Sequence, residues 1–107
     1  MTKVSTAPSY PVSIFLGGDA HTAHEACREF CMEGLCVTVT PTDYVYTGGA
    51  ESGVIVGLIN YPRFPKEPHE IEATARRLAT FLMDRLHQLS CTIQTPDHTD
   101  WISNRPD

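Results

Sequence analysis

Basic residues are scarce in this chain, with eight Lys and Arg against thirteen Asp and Glu, and the formal net charge is −5. That balance leaves no basic face for gripping phosphate backbones, so nucleic acid is not an expected partner. Long apolar runs are missing as well. The N-terminal MTKVSTAPSYP has no hydrophobic stretch of the signal-peptide kind, and no segment reaches the ~18 apolar residues of a membrane span. The expectation is a soluble, cytoplasmic protein with no membrane partner. Cysteine occurs only at Cys27, Cys31, Cys36 and Cys91, without a CxxC pair, which argues for free thiols in a reducing compartment. A Walker loop is also lacking, because TGGAESG carries no lysine. The length of 107 residues suits one domain. It divides into an N-terminal arm over 1–10, a single α+β domain over 11–96 and a C-terminal tail over 97–107.

What the chain does have is an alternating order of elements. Val12, Ile14 and Leu16 alternate with Ser13 and Phe15, predicting a strand over Pro11–Gly17. Asp19 is a suitable N-cap for a helix that runs to Glu33 and stops at Gly34, with Ala23, Cys27, Phe30 and Cys31 as its buried stripe. The next run, Leu35–Thr47, holds Pro41, which cannot donate to a sheet ladder, so this strand belongs at an edge. A turn over residues 47–52 leads to Gly53–Tyr61, apolar on both faces. Pro68 opens a long helix whose Ile71, Ala75, Leu78, Leu82, Leu86 and Leu89 recur at three- and four-residue steps. Cys91–Thr95 reads as a short last strand, and Trp101 is the one large anchor in the tail.

Strand, helix, strand, strand, helix, strand is the order of a ferredoxin-like βαββαβ fold: a four-stranded antiparallel sheet in the order 4-1-3-2 with two helices on one face. In such a fold Val54, Val56 and Leu58 project to one side and Ile55 and Ile59 to the other, and one set is left without a helix. An apolar face of that kind predicts self-association, a homodimer or higher oligomer packed through the open sheet face.

The topology also gathers loops. Gly17, Gly18, Asp19 and His21 are expected to approach Thr47, Gly48, Gly49 and Glu51, where backbone amides at a helix start suit a small anionic ligand. Tyr44 and Tyr46 alternate on one face of the edge strand and can stack a planar ligand or anchor a partner protein. Arg63, near the other end of the sheet with Lys66, can meet an anion or a partner's acidic residues. A second chemistry uses Asp19, His21, His24 and Glu25 in GGDAHTAHE as a metal-dependent hydrolase centre, although neither HExxH nor HxxEH is present. No catalytic residue, cofactor or metal is assigned from the sequence.

The stretch LCVTVTPTDYVYTGGAESGVIVGLINYPRFP, with the preceding HEACREFCMEG, resembles a group of short uncharacterised proteins of tailed bacteriophages and prophages. The resemblance implies a context within a bacterial host and carries no catalytic residues with it. Small phage accessory proteins of this kind act by binding. The expected function is therefore a non-enzymatic oligomeric module holding a small anionic ligand, a nucleotide-derived one among the options, or a host protein, and so countering host defence. The alternatives are the small metal-dependent hydrolase and a structural or virion-assembly protein.

Overall fold

A computed structural model describes residues 1–106. Five strands and two α-helices alternate along the chain: β1 (Val12–Gly17), α1 (Ala20–Phe30), β2 (Thr38–Tyr46), β3 (Gly49–Leu58), α2 (Pro68–Arg85), β4 (Ser90–Gln94) and β5 (Thr99–Ser103). The strands form one antiparallel sheet in the order β2-β3-β1-β4-β5. The four-stranded ferredoxin-like expectation is therefore wrong. Its missing member is β5, which lies within the residues read as a tail. The segment TDWIS is short and follows polar residues, so it carries no clear period of its own; its pairing with β4, from Ser90↔Ser103 to Gln94↔Thr99, is what makes it a strand. Tertiary contacts add to that pairing: Ile102 packs against the core, Arg76 pairs with Asp100, and His98 Nε2 lies 2.9 Å from Glu72 Oε1.

The core lies between the sheet and its helices. Val12, Ile14 and Leu16 of β1 stand beside Leu58, Val56 and Val54 of β3 in register, and all six are buried. Ala23, Ala26 and Cys27 of α1 and Ile71, Ala75, Leu78 and Leu82 of α2 close over them. Slipping β3 by one residue would move Val54, Val56 and Leu58 to the other face, at a cost of about 5–9 kcal/mol. Whole domains are stable by only about 5–15 kcal/mol, so the register is strongly specified. Arg85 reaches from α2 to Glu29 and Arg77 to Glu33, at 2.8 and 2.9 Å. These exposed pairs are worth little individually, but they align the two helices over one sheet face.

The β2–β3 hairpin differs from the expected six-residue turn. Only Thr47 and Gly48 separate Tyr46 from its partner Gly49, and Gly48 has φ 84, the left-handed backbone a tight hairpin turn requires. Glu51 and Ser52 are therefore strand residues, opposite Tyr44 and Asp43. Since β1 ends at Gly17 opposite Gly53, the hairpin overhangs the rest of the sheet by residues 49–52, roughly 13 Å at 3.3 Å per residue. Pro41 lies in β2, at the sheet edge. Among the described residues no helix is long and apolar enough to cross a membrane.

Asp19 caps α1, its Oδ2 accepting from the Thr22 amide and the Thr22 hydroxyl, each at 2.9 Å. Those bonds favour the ionised form and hold the carboxyl below its usual value of 3.8. A depressed value means that the cap contributes fully above pH 3.8 and fades as pH falls through the lower folded value. Asp19→Ala is expected to lower thermal stability at neutral pH, with the gap to wild type narrowing in strong acid. Melting curves followed by circular dichroism across that range check it.

Candidate functional site

The sheet has two unlike faces. One is filled by the helices; the other carries no helix. Cross-strand pairing sets a row along the open face: Thr40 opposite Ile55, Ile55 opposite Phe15, Phe15 opposite Thr92, and Thr92 opposite Trp101. Phe15 and Ile55 are only half-buried and Trp101 is exposed. Val54 and Val56 face the helices, so Ile55 is the β3 residue that an open-face partner would meet.

Toward the hairpin this face becomes a glycine bed with one aromatic ring on it. The Tyr44 hydroxyl donates to the Val54 carbonyl at 2.6 Å, and a Cβ at Gly53 would lie 2.5 Å from Tyr44 Cε2 and 2.5 Å from the Leu16 carbonyl oxygen. The ring therefore crosses β3 in contact with backbone, and glycine at 53 is what lets it lie there. Burial raises the Tyr44 phenol above its ordinary 10.0, so it stays neutral. A Cβ at Gly17 would meet Glu51 Oε2 at 3.1 Å and Gln88 Oε1 at 3.2 Å. Two side chains from distant parts of the sequence thus converge above Gly17, next to the Tyr44 ring. Gln88 reaches this point from the connection after α2, where His87 adopts the left-handed φ of 56, a conformation that costs a non-glycine residue about 1–3 kcal/mol.

The expected site residues are dispersed. Gly17 and Tyr44 belong to the bed. Gly18, with φ 124, donates its amide to the Ser52 carbonyl at 3.1 Å, and a Cβ there would strike Leu86 Cδ2 at 2.4 Å. It is a packing glycine with its amide already used. Asp19 serves as the cap of α1, and His21 is exposed in the first turn of that helix. The first-strand loop thus meets Ser52 and Gly53, not the Gly48–Gly49 tip. Gly48 and Gly49 lie at the end of the overhang, with Tyr46 against Gly49 and 57% exposed. Arg63 lies at the opposite end of the sheet, in the connection between β3 and α2.

The Asp19, His21, His24 and Glu25 cluster does not converge. His24 approaches only its neighbour Glu25, at 3.6 Å, and among the described residues no group of three His, Cys, Asp or Glu is arranged to hold a metal ion. Cys27 is buried, and desolvation pushes its thiol up to about 11; Cys91 is raised by burial too. Both are packing residues and poor nucleophiles. Sequence reasoning missed Gln88 and Gly53. Gln88 had no signal, while Gly53, inside a strand pattern, is the usual mark of close backbone or ring approach.

No family model matches the chain, and no curated protein does. Solved structures do share its fold. A phage SAM lyase in the apo state is 13% identical, covers 92% of this chain and 91% of its own, and superposes with a TM-score of 0.68. A phage SAM lyase in complex with S-methyl-5'-thioadenosine is 11% identical over 96% of this chain and 95% of its own, with a TM-score of 0.66. At such identities the likeness extends to the fold alone.

Gly53→Ala drives a methyl group into both the Tyr44 ring and the β1 backbone. A loss of about 1–3 kcal/mol is expected, read from urea denaturation, together with a change in the near-ultraviolet tyrosine signal as the ring is displaced.

Proposed function

We propose that this chain is a small phage-type accessory protein that binds an adenosine thioether or sulfonium, of the S-methyl-5'-thioadenosine and SAM class, on the open sheet face. The observation that carries the reading is the Tyr44 ring on the Gly53 backbone, with Glu51 and Gln88 gathered over Gly17 beside it. A purine can stack on a ring held in this way with little entropy to lose. Glu51 can accept from ribose hydroxyls or offset a sulfonium charge, and Gln88 can both donate and accept. Support comes from the two phage SAM lyases of the same fold, one of them holding S-methyl-5'-thioadenosine.

The electrostatics revise the expected ligand charge. Residues 17–24 and 42–53 contain no Lys or Arg but include Asp19, Asp43 and Glu51, and Arg105 reaches only Ser90 Oγ, at 3.4 Å, so a neutral or cationic ligand suits the hairpin side of this end better than an anion. Holding or depleting such a nucleoside is one way for a phage protein to act against host defence. Turnover is a second reading, favoured by a free carboxylate beside the place where a sulfonium would lie. Cleavage of SAM to the thioether balances when the oxygen of the substrate's own carboxylate bonds to the carbon that sulfur leaves, closing a lactone while the electron pair of the broken C–S bond goes to sulfur.

Calorimetric titration with S-methyl-5'-thioadenosine and with SAM tests the proposal. Binding of at least one is expected, weakened roughly ten- to hundredfold by Tyr44→Ala, the usual effect of removing an aromatic platform under a base. Glu51→Gln should weaken SAM more than the neutral thioether. Absence of heat with both nucleosides sinks the reading. Release of S-methyl-5'-thioadenosine from SAM, followed by chromatography and lost in Glu51→Gln, would identify turnover.

The same face supports self-association. Half-buried Phe15 and Ile55 and exposed Trp101 lie in one row of this face, and the overhanging hairpin adds Tyr46 at 57% exposure. A homo-oligomer closing over this face would also shield the Tyr44 bed from water. Ile55→Glu is expected to yield a folded monomer by light scattering and circular dichroism, with the wild type larger. A wild type that stays monomeric at every concentration refutes the assembly.

A further inference from the structure

A second concavity lies at the other end of the sheet, separate from the Tyr44 bed. Glu51 and Leu58 are seven residues apart on β3, roughly 23 Å along the strand. The groove encloses about 750 Å³ between the end of β3, the start of α2 and the segment joining α1 to β2, with Leu35, Leu58, Tyr61 and Ile71 among its lining residues. That volume and apolar character are those of a small-molecule site. Ile59 and Phe64 at its edge are 51% and 66% exposed.

The charges around it are unusual for this chain. Arg28, Arg76, Arg77 and Arg85 each pair with a carboxylate, whereas Arg63 and Lys66, like Lys3 and Arg105 near the chain ends, form no ion pair among the described residues. Both line the groove, facing the single carboxylate of Glu70. A protein with a net charge of −5 thus keeps two uncommitted cations at the mouth of this apolar concavity.

The wall that carries them is fixed in advance. Asn60, 8% exposed, donates to the Pro8 carbonyl at 2.8 Å and accepts from the Lys66 amide at 2.9 Å. One buried side chain therefore ties the N-terminal arm to both ends of the loop. A turn closed by Phe64 N–H on the Tyr61 carbonyl at 2.9 Å lies between, and Arg63 stacks 5.3 Å from the Phe64 ring centre. Preorganisation of this kind lowers the ordering cost of binding. At the inner wall the Tyr61 hydroxyl points to Cys36 Sγ at 3.3 Å, a weak acceptor it can leave for a ligand oxygen.

We propose that this groove binds a free amphipathic organic anion, its apolar body against Leu35, Leu58 and Ile71 and its acid group at Arg63 and Lys66. The proposal stands independently of the nucleoside reading, since the two sites share no residue. The test is calorimetric titration with dodecanoate below its micellar concentration, with dodecylammonium as the charge-reversed control. Dodecanoate is expected to bind at least tenfold more tightly than dodecylammonium. Arg63→Ala/Lys66→Ala, both exposed positions, should weaken it at least tenfold with an unchanged melting curve, and Glu51→Gln should leave it unchanged. No binding, equal binding of the two amphiphiles, or indifference to the double substitution overturns the proposal. So does sedimentation of the wild type with anionic phospholipid vesicles, which would make the groove a membrane contact.

Discussion

The pairing of β1 with β3 is the constraint from which the rest of the molecule follows. Val12, Ile14 and Leu16 fix one side of the central ladder against Leu58, Val56 and Val54, and burying them dictates where both helices must lie. With both helices on one face, the alternation of strand side chains leaves Phe15 and Ile55 on the other. The core and the open face are thus one decision made twice along each strand. The Gly17↔Gly53 pair at the end of this ladder removes two side chains from that open face where β1 stops, and the Tyr44 ring occupies part of the space.

Much of this architecture was legible because it rests on period. The three apolar residues of β1 and the helical repeat from Ile71 to Leu86 each carry a local signal that tertiary packing reinforces. Pro41 pointed to an edge because its missing amide hydrogen is a local chemical fact. β5 was not legible. Thr99–Ser103 is a strand because β4 offers an open ladder and because Arg76 and Glu72 of α2 hold Asp100 and His98, none of which is written in its own five residues. The hairpin turn was misjudged for a related reason: AES between two glycines is polar and exposed, and only pairing with β2 identifies it as strand.

The candidate site was half legible. Tyr44 and Gly17 stood out by type, but Glu51 gained meaning only once the two-residue turn set it opposite Tyr44. Gln88 came into view only through the left-handed His87. Arg63 was expected near the other end of the sheet, and it lies there, in the connection between β3 and α2. The charge distribution also divides the molecule. Asp43 and Glu51 lie on the hairpin, while Arg63 and Lys66 lie at the opposite end of the sheet beside Glu70.

The ribbon formed by residues 43–52 extends beyond the support of β1, and a two-stranded hairpin alone in water is marginal. The molecule therefore combines a helix-covered body with one prong whose sheet support ends at Gly53. Whatever rests on the Tyr44 ring also rests on the root of that prong. Occupancy at the root would damp motion at the tip, so that Val45 and Tyr46, far from any ligand, would report its presence through their order.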